Sequence, residues 1–170
     1  MSRALIRPAG EADLEGILAI YNDAILYTTA VYDYAPHTLA MRQAWLATKQ
    51  QAELPVIVAE VQGEVAGFGS LGPFRAWQAY QYTVENSLYV ATNYRGQGIG
   101  KQLLTHLVTA AEQRNLRAIV AGIDADNIVS LKLHEQLGFQ EVAHFRQVGY
   151  KFNRWLDLKF MQRLLTAPDT

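Results

Sequence analysis

The sequence predicts a single α/β domain, with a mixed central sheet of about six to seven strands and helices on both faces. Two observations lead to this class. Short runs of alternating or continuously apolar residues, typical of strands, are separated by longer segments whose apolar residues recur at helical spacing. A glycine-rich loop at residues 95–100 then joins a strand to a helix that precedes another buried strand, an arrangement typical of parallel neighbours. No repeat or linker interrupts residues 1–170, so we expect one domain.

The first elements of the chain are a strand and two helices. Ala4 to Arg7 is a plausible strand that Pro8 ends, and Thr38 is suited to cap a helix running to about Gln51. Between them, a helix is indicated by apolar residues on one stripe: Leu14, Ile17, Leu18, Tyr21 and Ile25. The two helices are joined by an aromatic loop, Tyr27 to Pro36.

The remaining strands are indicated by alternating or continuously apolar residues and by the turn residues that flank them. They cover Val56 to Val61, Val65 to Leu71, Tyr80 to Ala91, Ala118 to Asp124 and Trp155 to Arg163. The turn at residues 62–64 makes the first two a hairpin. After the glycine loop, a helix has its apolar stripe at Ile99, Leu103, Leu104, Leu107, Val108 and Ala111. We expect a ligand site beyond the carboxyl end of the strand that leads into the loop.

The loop Arg95 to Gly100, with the letters RGQGIG, is the motif with the clearest chemistry. Its three alternate glycines let backbone N–H groups approach an anion closely, and the following helix directs its positive end there. A P-loop does not fit, because it needs glycine at position 95 and Ser or Thr at position 102, where this chain has Arg95 and Gln102. A dinucleotide fingerprint has the spacing GxGxxG, whereas the spacing here is GxGxG. The loop therefore predicts a phosphate cradle of another kind.

A second motif follows the last buried strand. Residues 127–139 predict a short helix that is capped by Asp126 or Asn127 and ended by Gly138. Asn127, Ser130 and His134 are spaced i, i+3 and i+7, so they lie on one side of this helix and can address a common ligand. Ser130 and His134 also suggest a hydrolase dyad, but no GxSxG sequence surrounds the serine.

Together these two motifs resemble the GNAT superfamily of N-acetyltransferases. The similarity extends over nearly the whole chain and narrows to a branch that resembles phosphinothricin acetyltransferase. That branch shares Leu-His-Glu at 133–135, where much of the superfamily has tyrosine in place of His134, and it has counterparts of Thr83–Val90 and Val148–Asp157. Asn153 stands where relatives often have glycine, and asparagine tolerates the same positive φ.

The resemblance implies acetyl-CoA as co-substrate. The loop amides would bind its pyrophosphate, and the exposed backbone of the preceding strand would pair with its pantetheine arm. The implied coenzyme-binding residues are Leu88, Tyr89, Val90, Arg95, Gly96, Gln97, Gly98, Ile99, Gly100, Asn127 and Ser130. The backbone N–H of Leu88 is also expected to stabilise the oxyanion that develops during acetyl transfer.

Amine acetylation also needs a proton acceptor and a proton donor. Glu85 is the candidate base, since a carboxylate that lines the cleft can take a proton from an amine through water; the alternative is a solvated strand residue. His134 is the candidate acid that protonates the departing thiolate; the alternatives are an ordinary surface histidine and protonation by water.

The acceptor is expected to be a small amino-acid-like acid, because the branch acetylates phosphinothricin, methionine sulfoximine and methionine sulfone. A guanidinium can grip a carboxylate bidentately, and the expected substrate-binding residues are Arg75, Ala76, Trp77 and Glu85. A protein N-terminus or a polyamine is an alternative acceptor, although a polyamine site should be more acidic than this one. Outside the enzymes, the alternative is an acyl-CoA sensor without turnover, and Glu85 argues against it.

Composition sets the remaining expectations. A net charge of −1 provides no global basic field for nucleic acid or an anionic membrane, and the absence of cysteine excludes a cysteine acyl-enzyme. The four histidines form no ligand pair such as HxxxH, so no metal is expected, and no signal or membrane-length apolar run indicates export. A cytoplasmic enzyme is the default. Relatives in the branch are usually homodimers, which makes the aromatic segment Phe145 to Trp155 a possible interface.

Overall fold

A computed structural model describes residues 4–166. Its seven strands form one sheet in the order β1-β2-β3-β4-β5-β7-β6. The strands are β1 (Leu5–Pro8), β2 (Val56–Val61), β3 (Glu64–Pro73), β4 (Thr83–Val90), β5 (Ala118–Asp124), β6 (Gln140–Lys151) and β7 (Arg154–Leu164). The α-helices are α1 (Leu14–Tyr27), α2 (Leu39–Gln51), α3 (Ile99–Gln113) and α4 (Ile128–Gln136). The mixed sheet and the α/β class are confirmed, since β4 and β5 are parallel and the other neighbours are antiparallel.

Helices cover both faces of the sheet, as predicted. On one face, α1 and α2 pack on the fully buried Phe68 of β3. On the other face, α3 approaches β3 so closely that a Cβ atom on Gly69 would lie 3.0 Å from the Leu107 side chain. Leu71 of β3 belongs to the apolar cluster on this second face, together with Leu104 of α3. Alternation along β3 therefore supplies two separate layers of core.

Two local predictions about helix termini and turns are confirmed. The Thr38 side chain accepts a hydrogen bond from the backbone N–H of Met41 at 3.3 Å, which caps α2. In the turn between β6 and β7, Asn153 has φ of 60°, so it adopts the left-handed conformation expected where relatives often have glycine. The same conformation occurs at Gly63, with φ of 82°, in the predicted hairpin between β2 and β3.

Strand β6 was not predicted, and β4 begins later than predicted. Most β6 residues are exposed because the strand lies at the sheet edge. Its pairing with β7 shifts register twice, so its side chains give no period-2 pattern. The chain from Gln78 to Tyr80 forms a 3-10 turn, and β4 starts only at Thr83. Both departures arise where tertiary position overrides the local pattern.

The loop after α1 is tied to β6 by a buried lysine. The Lys151 ammonium donates hydrogen bonds to the carbonyl oxygens of Ile25, Thr28 and Val31 at 2.6, 2.8 and 2.6 Å. Three acceptors satisfy the three N–H groups of the ammonium. This contact fixes the start of the aromatic loop, which lines the cleft described below. Among residues 4–166, no helix is long and apolar enough to cross a membrane.

Candidate active site

The cleft of the molecule opens where β4 and β5 separate. The two strands pair over three residues, from Thr83 opposite Ala118 to Glu85 opposite Val120, and then diverge. Beyond that point lies a cavity of about 270 Å³. It is lined by Ala30, Val31, Tyr32, Glu85, Asn86, Ser87, Leu88, Tyr89, Ala121, Gly122, Ile123, Asp124, Asn127, Ser130 and His134. Six of the residues predicted for the site are thus brought together: Glu85, Leu88, Tyr89, Asn127, Ser130 and His134.

Beyond Glu85, β4 pairs with β3 alone, and its other side presents backbone groups to this cleft. The carbonyl oxygens of Ser87 and Tyr89 point at β3, where they would lie 3.3 and 2.9 Å from Cβ atoms on Gly69 and Gly67. Because peptide groups alternate along a strand, those of Leu88 face the opposite side, where β5 has diverged. The strand edge that the resemblance implies to be exposed therefore faces the cleft.

The glycine loop lies at the start of α3, outside the cavity lining. Gly96 and Gly98 have φ of 75° and 78°, and Gly98 occupies the N-cap position without a side-chain cap. The first N–H groups of a helix lack intrahelical partners, and no acidic side chain is present in the first turn of α3. The amide of Arg95 is the exception in the loop, because it donates to the Thr92 carbonyl at 3.4 Å. The cradle therefore offers donors from residue 96 onward.

Helix α4 begins at its predicted cap and places its polar side toward β4. The Asn127 side-chain oxygen accepts a hydrogen bond from the Ser130 N–H at 3.1 Å. His134 is 2% exposed; its Nδ1–H donates to the Ser130 carbonyl at 2.8 Å, and its Nε2 lies 3.1 Å from Nδ2 of Asn86. Asn86, on β4, was not among the predicted site residues.

These contacts describe a neutral histidine. Burial lowers the pKa of His134 below 6.5, more than the hydrogen bond to Ser130 raises it. A neutral imidazole whose Nδ1 donates to a carbonyl has a lone pair on Nε2, and Asn86 donates to that lone pair. The His134 ring thus has no proton directed at the cleft, and this geometry does not favour the predicted general acid.

Glu85 is the last β4 residue that pairs with β5, and it lies on the face of the sheet that α2 covers. Burial raises the pKa of its carboxyl, while Arg75, a hydrogen bond from the backbone of Gly122 and the charge of Lys49 lower it. Burial is the largest of these influences, so the pKa of the Glu85 carboxyl lies above its ordinary value, which makes the carboxylate a stronger proton acceptor. The predicted base is therefore placed in a suitable environment.

The loop between β3 and β4 holds the predicted acceptor residues at the surface. Arg75 is exposed, and its guanidinium stacks over the Phe74 ring at 4.4 Å. Ala76 and Trp77 are exposed too, Trp77 to 71%, and neither lines the cavity. Of the predicted acceptor set, the structure brings Arg75 and Glu85 within electrostatic reach of each other.

Sequence reasoning missed one wall of the cleft. The Tyr32 hydroxyl donates to the Asp124 carboxylate at 3.1 Å, which joins the loop after α1 to the end of β5. The Tyr32 ring lies against Gly149 of β6, where a Cβ atom would be 2.7 Å from the ring. Burial and Asp124 raise the pKa of this phenol, so it stays protonated. The aromatic loop and the end of a buried strand were both noted, but nothing local paired them.

Comparison with known proteins decides the family. The model of the Acetyltransferase (GNAT) family matches residues 17–139. The chain belongs to the GNAT family. It is 48% identical over 160 residues to the L-methionine sulfoximine/L-methionine sulfone acetyltransferase of Pseudomonas aeruginosa, covering 94% of this chain and 93% of that protein. The expected resemblance is thereby confirmed.

Solved structures support the same assignment for this acetyltransferase. The crystal structure of an N-acetyltransferase from Staphylococcus aureus Mu50 has a TM-score of 0.96 and 50% identity, covering 97% of this chain and 100% of that one. A GNAT superfamily phosphinothricin acetyltransferase from Sinorhizobium meliloti, in complex with AcCoA, has a TM-score of 0.94 and 36% identity, covering 96% and 89%. Across residues 4–166, the acetyltransferase has no group of three or more His, Asp or Glu side chains that could hold a metal ion.

Proposed function

We propose that this protein transfers the acetyl group of acetyl-CoA to the amino group of a small amino-acid-like acid, of the methionine sulfoximine, methionine sulfone or phosphinothricin type. The observation that carries the proposal is the position of Glu85, immediately before the part of β4 that has no strand partner in the cleft. A proton acceptor and a row of backbone donors then meet at one point. The names of the relatives support the class of acceptor.

The residues present fit acetyl-CoA. The amides from Gly96 to Gly100, which have no acceptor within the described part of the chain, suit a diphosphate, since backbone donors at a helix N-terminus stabilise negative charge. The peptide group of Leu88 and the N–H of Val90 suit the amides of a pantetheine arm, and the Ser130 hydroxyl lies on the cleft wall. The Val90 carbonyl accepts a hydrogen bond from Nε of Arg95 at 3.2 Å. When bound, acetyl-CoA supplies an acetyl thioester.

Acetyl transfer needs a proton acceptor, a group that stabilises negative charge and a proton donor. We assign these roles to Glu85, the Leu88 N–H and solvent. Glu85 accepts a proton from the acceptor amine, directly or through one water, so that the nitrogen can form its bond to the acetyl carbon. The Leu88 N–H stabilises negative charge on the acetyl oxygen before the carbon–sulfur bond breaks. A thiolate is a good leaving group, because the thiol reference pKa is about 8.5, and it takes its proton from solvent. His134 acts in this scheme by holding the Asn86 amide.

The charges near Glu85 favour an acceptor that carries a carboxylate. Arg75 and Lys49 are both within electrostatic reach of Glu85, so the acceptor side of the cleft has an excess of positive charge. A polyamine would be repelled there, whereas an amino acid presents one anionic group to the cations and one amine to the carboxylate. Arg75 is the residue with the geometry to bind that carboxylate in a bidentate manner.

The experiment is to incubate the purified protein with acetyl-CoA and a panel of amines and to follow release of free thiol. We expect methionine sulfone and methionine sulfoximine to give the highest kcat/KM, ahead of phosphinothricin, a peptide N-terminus and spermidine. Fastest turnover of a peptide or a polyamine would overturn the acceptor class. Tight binding of acetyl-CoA without thiol release from any amine would instead favour a sensor.

We also propose that two copies associate through the β6–β7 edge. This edge exposes Phe145, Val148, Tyr150, Phe152 and Trp155, each at 45–60%, and clustered exposed apolar side chains mark an interaction surface. Light scattering after size exclusion should give twice the 19.0 kDa chain mass. Trp155→Asp should give a monomer, and Leu5→Asp, on the opposite sheet edge, should stay dimeric. A monomeric unsubstituted protein would contradict the pairing.

A further inference from the structure

Lys49 occupies a fixed position beside the proposed base. It lies near the end of α2, its side chain is partly buried, and its ammonium donates to the Leu71 carbonyl at 2.5 Å. The nitrogen lies over Gly72, where a Cβ atom would be only 2.9 Å away. Gly72 is the register partner of Glu85, and directly opposed residues of antiparallel strands project to the same face. The missing side chain at Gly72 thus makes room for a cation next to Glu85.

The charged and polar groups that face Glu85 come from three other elements. They are Lys49 from α2, Arg75 from the loop before β4, and the Gly122 amide from β5; the phenol of Tyr89, on β4 itself, also interacts with it. Burial and the nearby Arg42 lower the pKa of Lys49, and Glu85 raises it. Lys49 and Glu85 therefore favour each other's charged form, although no direct ion pair joins them among the described residues.

The two cations differ in how firmly they are held. Arg75 is exposed on a surface loop, and in the proposed function it binds the carboxylate of the acceptor. Once that carboxylate is bound, the charge of Arg75 is neutralised and no longer acts strongly on Glu85. Lys49 is anchored to a backbone carbonyl within the sheet, and in the proposed scheme no acceptor group binds it. Among residues 4–166, it is then the remaining cation that acts on Glu85 at the moment of proton transfer.

We propose that Lys49 is a positioning residue for acetyl transfer: its ammonium group, seated over Gly72, keeps the Glu85 carboxylate ionised while the acceptor is bound. This inference rests on the proposed function. Lys49 touches neither the acceptor nor the coenzyme in this scheme. Its charge lets Glu85 take the proton that leaves the amine when the new carbon–nitrogen bond forms.

The test compares kcat against pH for the unsubstituted protein, Lys49→Met and Lys49→Arg, with methionine sulfone as acceptor. Removing a nearby positive charge disfavours the ionised form of a carboxyl, so the acidic limb of the Lys49→Met profile should move up by roughly 0.5 to 1 pH unit. Below the midpoint, kcat should fall several-fold, and the curves should converge at high pH. Lys49→Arg should retain most of the original profile. The acceptor amine has the same pKa in every assay, so a difference in pH profile between variants arises from the protein.

Several outcomes would overturn the inference. A Lys49→Met profile that is lower by the same factor at every pH would assign Lys49 a purely structural role, and an unchanged profile would assign it none. Lys132→Met, which removes an exposed charge on α4, is the matched control and should leave the profile in place. Thermal unfolding of each variant shows whether it is folded. Absence of turnover in the unsubstituted protein would refute the proposed function instead, so the two failures are distinguishable.

Discussion

The two faces of strand β4 differ in the groups that surround them and in their proposed roles. Asn86 and Leu88 project toward α3 and α4, where Asn86 meets His134 and Leu88 lies 3.7 Å from a Cβ atom placed on Gly100. Glu85 and Tyr89 project toward α1 and α2, beside charged and aromatic side chains. The proposed coenzyme side depends on backbone donors, whereas the proposed acceptor side depends on side-chain charge. Substitutions should therefore separate the two functions.

The largest effect is expected on the acceptor face. Glu85→Gln removes the carboxylate and keeps the shape, so turnover near neutral pH should fall by about 10²- to 10⁴-fold, the usual contribution of a general base. Calorimetric titration should show acetyl-CoA affinity within about twofold of the original, since Glu85 takes no part in the backbone cradle. A rate equal to that of the unsubstituted protein would remove Glu85 as base, and a parallel loss of coenzyme affinity would refute the separation of the two faces.

The next effect is expected at the coenzyme face. Gly96→Asp puts a carboxylate beside the α3 N-terminus, where it competes with a diphosphate, so KM for acetyl-CoA should rise by at least about tenfold. Gly96→Asn is the matched control: asparagine and aspartate tolerate a φ of 75° similarly, but only aspartate adds charge. Steady-state kinetics with each substrate varied should show little change in KM for the acceptor. Equal KM values for the two variants would mean that residue 96 is remote from any phosphate.

The difference between the faces also explains what the sequence could predict. Residues 95–100 are contiguous, follow a strand and open a helix, so the letters alone indicated a backbone cradle. Lys49 carries no such signal, because its position depends on how α2 packs and on an empty site at Gly72. The spacing of Ser130 and His134 was visible, but the Asn86 partner is 48 positions away. A binding site made of contiguous backbone groups can be predicted from local sequence, whereas a site made of side-chain charges requires the tertiary structure.

A smaller effect is expected where the aromatic loop closes the cleft. Gly149→Ala places a methyl group 2.7 Å from the Tyr32 ring, so the ring and its loop must shift. KM for the acceptor should rise a few-fold and the thermal midpoint should fall, while KM for acetyl-CoA stays nearly constant. Gly10→Ala is the control, because its added Cβ would meet no atom within 4 Å. A normal acceptor KM in Gly149→Ala would show that Tyr32 does not shape the acceptor site.

The smallest catalytic effect is expected at His134, although its effect on stability should be clear. If the imidazole is neutral and holds Asn86, His134→Gln should reduce kcat by less than about tenfold, whereas loss of a general acid typically costs about 10² or more. Because the folded pKa lies below 6.5, the unfolded chain binds a proton first as pH falls. The contribution of a neutral His134 to stability is therefore complete above pH 6.5 and is lost progressively below it.

Thermal midpoints at pH 7.5 and 5.5 test this sign. The unsubstituted protein should lose more stability between the two pH values than His134→Gln, which has no group to protonate at this position. The matched control for replacing a histidine by glutamine is His106→Gln, at an exposed site on α3. A kcat that falls about 100-fold in His134→Gln, with no change in the slope of stability against pH, would restore His134 as the proton donor. Asn86 would then have to turn its amide away from Nε2 during turnover, because the present contact occupies the atom that a donor would need.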